Sequence, residues 1–316
     1  MGLTGRLLST AIVLGLAGAA AFWFLTAPKT LDAAEVVALG AGDAARGELI
    51  FNAGGCTSCH ARPKSEGTAR LELAGAVELN TPFGAFVAPN ISQHPTDGIG
   101  AWSAEDFGNA MLRGVSPAGE HYYPAFPYGS YVRMQPDDVG DLFAYMKTLP
   151  PVEGRAPGHR LGFPFNIRRG VGMWKLLNLD PAPVIALADD ASDAVRRGRY
   201  LVEGPGHCGE CHTPRDLSGG LKKDLWLSGA VAAEGTGNIP NITSGEGGIG
   251  AWSADEIAYF LESGFTPEFD SAGGAMAEVI QNTSRLPAAD RAAIAAYLKA
   301  IPPLPDGYPA AAKPAG

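Results

Sequence analysis

The stretch Cys56-Thr57-Ser58-Cys59-His60 returns as Cys208-Gly209-Glu210-Cys211-His212, and the two copies of C-x-x-C-H use all four cysteines of the chain. Two cysteines separated by two residues, with a histidine directly after the second, is the pattern of covalent haem c attachment. Thioethers form at Cys56, Cys59, Cys208 and Cys211, and His60 and His212 become the proximal iron ligands. A C-x-x-C pair alone also suits half a zinc site or a redox dithiol. The histidine sits too close to its neighbouring cysteine for easy tetrahedral closure, and duplication argues against coincidence. The motif therefore predicts two covalently bound haem c groups and no disulfide.

Outward from the motif the chain repeats itself at an offset of about 150 residues. Asp43, Arg46 and Gly47 precede the first copy as Asp193, Arg197 and Gly198 precede the second. Pro89-Asn90-Ile91 matches Pro240-Asn241-Ile242, and Gly-Ile-Gly-Ala-Trp-Ser runs unbroken from Gly98 to Ser103 and from Gly248 to Ser253. Ser103 with Asp106, and Ser253 with Glu256, have capping-box spacing. The helices they open end at Gly114 and Gly264. Last helices are predicted over about 136–148 and 288–300, stopped by Pro150-Pro151 and Pro302-Pro303. The predicted fold is all-α, two tandem haem modules behind an N-terminal transmembrane helix. Its parts are an anchor at 1–30, modules at 42–151 and 191–304, a linker at 152–190 rich in aromatics and prolines, and a tail at 305–316.

Arg6 precedes an apolar run from Leu7 to Ala27, long enough as a helix of roughly 31 Å to span a bilayer core. A cleaved signal peptide is the rival. A cut after Ala19 leaves Phe22, Trp23 and Phe24 on an exposed end, and a cut after Ala27 puts Pro28 at the new terminus. Arg6 on the cytoplasmic side places the haem modules in the periplasm, anchored in the inner membrane. The chain of 316 residues carries a formal charge of -9, which excludes nucleic-acid binding by a basic footprint.

The sixth ligand of each iron decides between carrier and catalyst. After His212 there is no histidine and one methionine, Met276, read as lying in the loop before the last helix and assigned to the second iron. For the first iron the candidates are Met111, Met134, Met146 and His121. The residue opposite Met276 in the repeat is Pro124, which cannot ligate, so the two sites differ. Trp102, Trp252, Asn90 and Asn241 are candidates for contacts to the haem propionates, with a turn-forming role as the alternative.

Tyr123-Pro124-Ala125-Phe126-Pro127-Tyr128, followed by Tyr131 and Arg133-Met134, resembles the first haem module of the cytochrome c subunits of membrane-bound alcohol, sugar, aldehyde and gluconate dehydrogenases. Met276-Ala277-Glu278-Val279 with Asn282-Thr283-Ser284 resembles their later module, and the likeness covers most of residues 43 to 303. The resemblance implies cytochrome c-like modules and Met134 as the first distal ligand, with His121 or an open iron as alternatives. It also implies an electron carrier without catalysis of its own. A periplasmic dehydrogenase is the expected donor, a soluble cytochrome c, an oxidase or quinone the expected acceptor, and lipid the partner of the N-terminal helix. Those subunits often hold three haems and a C-terminal anchor, where this chain has two motifs and an N-terminal one. Two other classes stand beside this reading: a dihaem peroxidase with an open first haem, and a passive tether or redox sensor. A thiosulfate dehydrogenase would need a fifth cysteine.

Overall fold

The computed structural model describes residues 2–233 and 237–308; the tail beyond 308 lies outside them. The chain opens with helix α1 (Leu3–Leu25), predominantly apolar beyond Arg6, with a mean hydropathy of 2.0 over its best window and no residue buried. Its end is built into the rest of the molecule. Thr26 is buried. Its carbonyl meets His121 Nε2 at 2.8 Å, and its hydroxyl accepts from Arg169 Nε at 3.0 Å. The Arg169 guanidinium lies over the Trp23 ring at 4.2 Å.

A short helix α2 (Ala33–Ala38), capped by Asp32 and Glu35, leads to the first helical unit. This comprises α3 (Ala44–Ala53), α4 (Cys56–His60), α5 (Ala104–Gly108) continuing as a π-turn over Asn109–Arg113, α6 (Tyr128–Tyr131) and α7 (Pro136–Met146). Between α4 and α5 runs an antiparallel hairpin, β1 (Glu78–Thr81) and β2 (Gly84–Val87), with Glu78 opposite Val87 and Thr81 opposite Gly84. The segment after α7 returns as β3 (Arg160–Leu161) on the free edge of β2, then forms α8 (Gly170–Asn178).

The second unit repeats the order with α9 (Asp193–Glu203), α10 (Gly209–His212), the strand pair β4 (Ala230–Val231) and β5 (Asn238–Ile239), then α11 (Ala254–Ser263), α12 (Gly274–Thr283) and α13 (Ala288–Ala300). The fold is therefore helix-rich but not all-α. In both units the excursion from the C-x-x-C-H helix to the Pro-Asn-Ile loop satisfies its backbone by short strand pairing.

Each unit closes where its first helix crosses its last. A Cβ on Gly47 would lie 1.9 Å from the Asp141 carbonyl oxygen, and one on Gly198 would lie 1.9 Å from that of Ala293. Only glycine lets α3 meet α7, and α9 meet α13, backbone to backbone. A bidentate ion pair ties each crossing: Arg46 to Asp141 at 2.6 and 2.9 Å, and Arg197 to Asp290 at 2.9 Å on both oxygens. Both capping boxes form, at Ser103 with Asp106 and Ser253 with Glu256, and Gly114 and Gly264 end their helices in the left-handed region. One repeat pairing shifts. Ser192 caps α9, so Asp193 is its first helical residue and not the counterpart of the capping Asp43.

Two buried apolar clusters result. The first holds Phe51, Phe107, Met111, Met134, Phe143 and Met146 with Cys56 packed against it. The second holds Leu201, Trp226, Ile257, Ile294 and Leu298, with Cys208, Trp252 and Met276 packed against it. The connecting segment is not loose: Val184 and Ile185 donate their amides to the buried Glu203 carboxylate and pack on the second cluster.

Candidate functional site

Both C-x-x-C-H motifs form a single helical turn whose histidine is held the same way. His60 Nδ1 lies 2.8 Å from the Pro89 carbonyl oxygen, and His212 Nδ1 lies 2.8 Å from that of Pro240. A carbonyl only accepts, so the contact assigns the proton to Nδ1 and leaves the Nε2 lone pair for a metal. The histidine carbonyls are held in parallel, accepting from Gly75 N and Gly229 N at 2.7 Å each. Desolvation pulls both imidazoles below the ordinary histidine range, which favours the neutral, ligating form.

The asparagines of the two Pro-Asn-Ile loops are engaged within the protein. Asn90 donates both amide hydrogens, to Val152 O and Gly154 O, while its Oδ1 accepts from Ser92 N. Asn241 donates to Leu304 O and Asp306 Oδ1 and accepts from Thr243. Both are buried. These amides fasten the loop to the segment after the last helix, the turn-forming role that stood as the alternative to a propionate contact. Trp102 and Trp252, just before α5 and α11, are half-buried against their clusters, Trp252 edge-on to Phe260; Lys299 Nζ donates to the Trp252 carbonyl at 2.9 Å.

The residues fit covalent haem. No disulfide forms among the described residues, and Cys59 and Cys211 keep exposed surface beside the half-buried Cys56 and Cys208. Burial pushes the Cys56 and Cys208 thiols up to about 12 and raises Cys59. Burial thus keeps these thiols protonated until they react. Among the described residues no three His, Cys, Asp or Glu side chains converge on a metal position, as a zinc site would require.

On the distal side Met134 is buried in the same cluster that Cys56 borders. Met111 and Met146 are buried there as well. His121 is not aimed at this cluster: its Nε2 is committed to Thr26 at the end of α1. Met276 packs on the cluster that Cys208 borders, but as the third residue of α12 and not in a loop.

The two motifs also face each other, a feature sequence reading missed. Thr57 Oγ1 donates to Asn282 Oδ1 at 2.9 Å, and Asn282 Nδ2 donates to Ser58 Oγ at 3.0 Å. Arg70 pairs with Glu278 at 2.7 Å. Reciprocally, His207 Nε2 lies 3.1 Å from Gly54 O and its ring meets Tyr131 edge-on, while Ser130 donates to Glu210 at 2.8 Å. Each attachment turn thus packs on the distal segment of the other unit.

The cytochrome c family model matches residues 44–150. A dihaem cytochrome c-type protein of Cereibacter sphaeroides is 53% identical over 287 residues, covering 91% of this chain and 95% of its own length. The fructose dehydrogenase cytochrome subunit of Gluconobacter japonicus is 36% identical over 81% of this chain, and the cytochrome c subunit of the quinone alcohol dehydrogenase of Gluconobacter oxydans 33% over 83%. This chain spans about half the length of those two subunits, 52% and 55%.

Proposed function

The chain belongs to the c-type cytochromes, beside dihaem cytochromes and the cytochrome c subunits of dehydrogenases, and from that premise we propose a two-haem electron relay anchored in the membrane. Its relatives include cytochrome subunits of dehydrogenases, and on that likeness we read this chain as an electron carrier whose catalysis lies in a partner chain. Haem c, when bound, supplies a one-electron ferric/ferrous couple. Every other part of the task falls to the polypeptide.

In this reading Cys56 and Cys59 hold one haem and Cys208 and Cys211 the other. Pro89 and Pro240 aim His60 and His212, and Met134 and Met276 complete the coordination. A thioether ligand favours the reduced iron and raises the potential. The contacts of Thr57 and Ser58 with Asn282, and of His207 with Gly54 and Tyr131, hold the two units in a fixed relation, which a relay needs. The placement of Met134, with His121 tied to Thr26, speaks against a peroxidase with an open first iron.

The anchor follows from the way α1 ends. Removal of residues up to Ala27 would take Thr26 from a buried position where it partners both His121 and Arg169. We therefore read α1 as retained, with the haem units on the side opposite Arg6 and a dehydrogenase as donor. The acceptor is a soluble cytochrome c, an oxidase or quinone. The observation that carries the proposal is the duplicated His–Pro carbonyl contact beside a methionine-bearing core. It is tested by intact mass and a potentiometric titration of the purified chain. Two haem c adducts and two one-electron waves support it; one adduct or a single wave of one electron contradicts it.

A further inference from the structure

We propose that α8 and the segment before it form a second membrane contact, lying in the bilayer interface beside the anchor; this rests on the anchor reading above. Phe163, Phe165, Ile167, Met173, Leu176 and Leu177 are all exposed, Phe163 by 81% and Leu177 by 75%. Singly exposed apolar residues are ordinary, but six within one short stretch mark an interaction surface. Met173, Leu176 and Leu177 fall on one face of α8 at i, i+3 and i+4. The other side is fixed to the first unit: Val171 and Gly172 are buried, Trp174 meets Tyr128 edge-on, and Lys175 Nζ donates to Arg113 O and Gly114 O at 2.7 Å each. The exposed face is therefore presented by a rigid helix.

Its location identifies the occupant as lipid. Arg169, the residue before α8, holds Thr26 and covers Trp23. A Cβ on Gly172 would stand 2.4 Å from the Thr26 carbonyl oxygen. The apolar face thus begins where α1 leaves the bilayer. Arg168 and Arg169 at its start are engaged with His121, Glu120, Thr26 and Trp23, while Lys29, exposed just past the end of α1, is suited to anionic headgroups. Apolar side chains with a cationic edge are the composition of a helix lying in the interface plane. Such a contact fixes the rotation of the haem units about the anchor helix, which a single spanning helix leaves free. α8 also reaches the second motif, since Trp174 and Leu177 line a cavity of about 410 Å³ shared with Glu210.

The full chain, in vesicles of phosphatidylcholine and phosphatidylglycerol carrying a photoactivatable acyl chain, is irradiated and its lipid adducts located by peptide mass spectrometry. Adducts are expected over 3–25 and over 163–178, with none in α11. In a Leu176→Glu, Leu177→Glu variant the adducts over 163–178 should be lost, while those in α1 and the haem spectrum stay unchanged. Adducts confined to α1 in the unaltered chain overturn the proposal and leave the anchor standing; adducts in neither segment overturn both. A face that stays unlabelled and becomes protected only when a dehydrogenase chain is added assigns it to a protein and also overturns the lipid contact.

Discussion

The two units share one device on the proximal side and differ on the distal side. His60 and His212 meet equivalent proline carbonyls, and Leu73 and Leu227 adopt the same left-handed turn and accept from Ile91 N and Ile242 N. The copies stay in step through the bridges Val115–His121 and Phe265–Ser271. They are in step again where Met134 N bonds Tyr131 O and Leu286 N bonds Thr283 O. Between those points the second unit has two more residues and a ten-residue helix, α12, that carries Met276. The first unit has Pro124 and Pro127 there, which interrupt a helix, and only the four-residue α6. The two proposed ligands thus sit at different places on one scaffold, Met276 before the shared turn and Met134 after it. The proximal half tolerates no such drift, because the histidine, the carbonyl behind it and the cysteines are fixed together by one loop.

The largest effects should come from dividing the molecule at its motifs. Replacing Cys56 and Cys59 by alanine should remove one haem, and replacing Cys208 and Cys211 the other, halving the haem content measured against protein in each case. Loss of both haems from either variant would show that the units are not separable. Next come the helix crossings. Gly47→Ala and Gly198→Ala each force a methyl into a backbone carbonyl and should destabilise the affected unit by about 3 kcal/mol. Denaturant titrations followed at the haem absorption should show it, and equal stability to the unaltered chain would mean the helices do not cross there.

A smaller change should follow Asn282→Ala, which removes the acceptor of the Thr57 hydroxyl and one donor to the Ser58 hydroxyl across the interface. A loss of about 1–2 kcal/mol is expected, with slower electron exchange between haems after flash reduction and unchanged individual spectra. Unchanged exchange would mean the contact does not set the haem geometry. The smallest effect concerns His121, which has Ser271 as its counterpart. Burial lowers its pKa in the folded chain, and the nearby Lys175, Arg169 and Arg168 act in the same direction. The unfolded chain therefore binds the proton more tightly, so stability falls as pH drops below about 6.5, the unfolded histidine value. His121→Asn should flatten that part of the stability profile. Ser271→Asn, at the matching place in the second unit, should leave it unaltered.

Much of this was legible in the chain. Cysteines and histidines at fixed spacing, the caps at Ser103 and Ser253 and the terminating Gly114 and Gly264 act through local chemistry, which sequence displays. What was hidden acts through the backbone or across the units. The working atom of Pro89 and Pro240 is a carbonyl, which every residue has, so the repeated Pro-Asn-Ile drew attention to the asparagine amide instead. Thr57 and Ser58 fill the free positions of C-x-x-C-H and reach Asn282 more than two hundred positions away. The hairpin at Glu78–Val87 draws its third strand from Arg160–Leu161, a long-range pairing that no local periodicity signals. Met276 read as a loop residue because Gly273 and Gly274 precede it, yet those glycines only open α12.

The central claim is that each core supplies a methionine to its iron. The ferric absorption spectrum of the holoprotein in the region of the weak methionine-to-iron charge-transfer band tests it directly, recorded with Met134→Ala and Met276→Ala alongside. Each variant should lose part of the band while the other part survives. A high-spin haem in the unaltered protein, with a spectrum that Met134→Ala leaves unchanged, would contradict it.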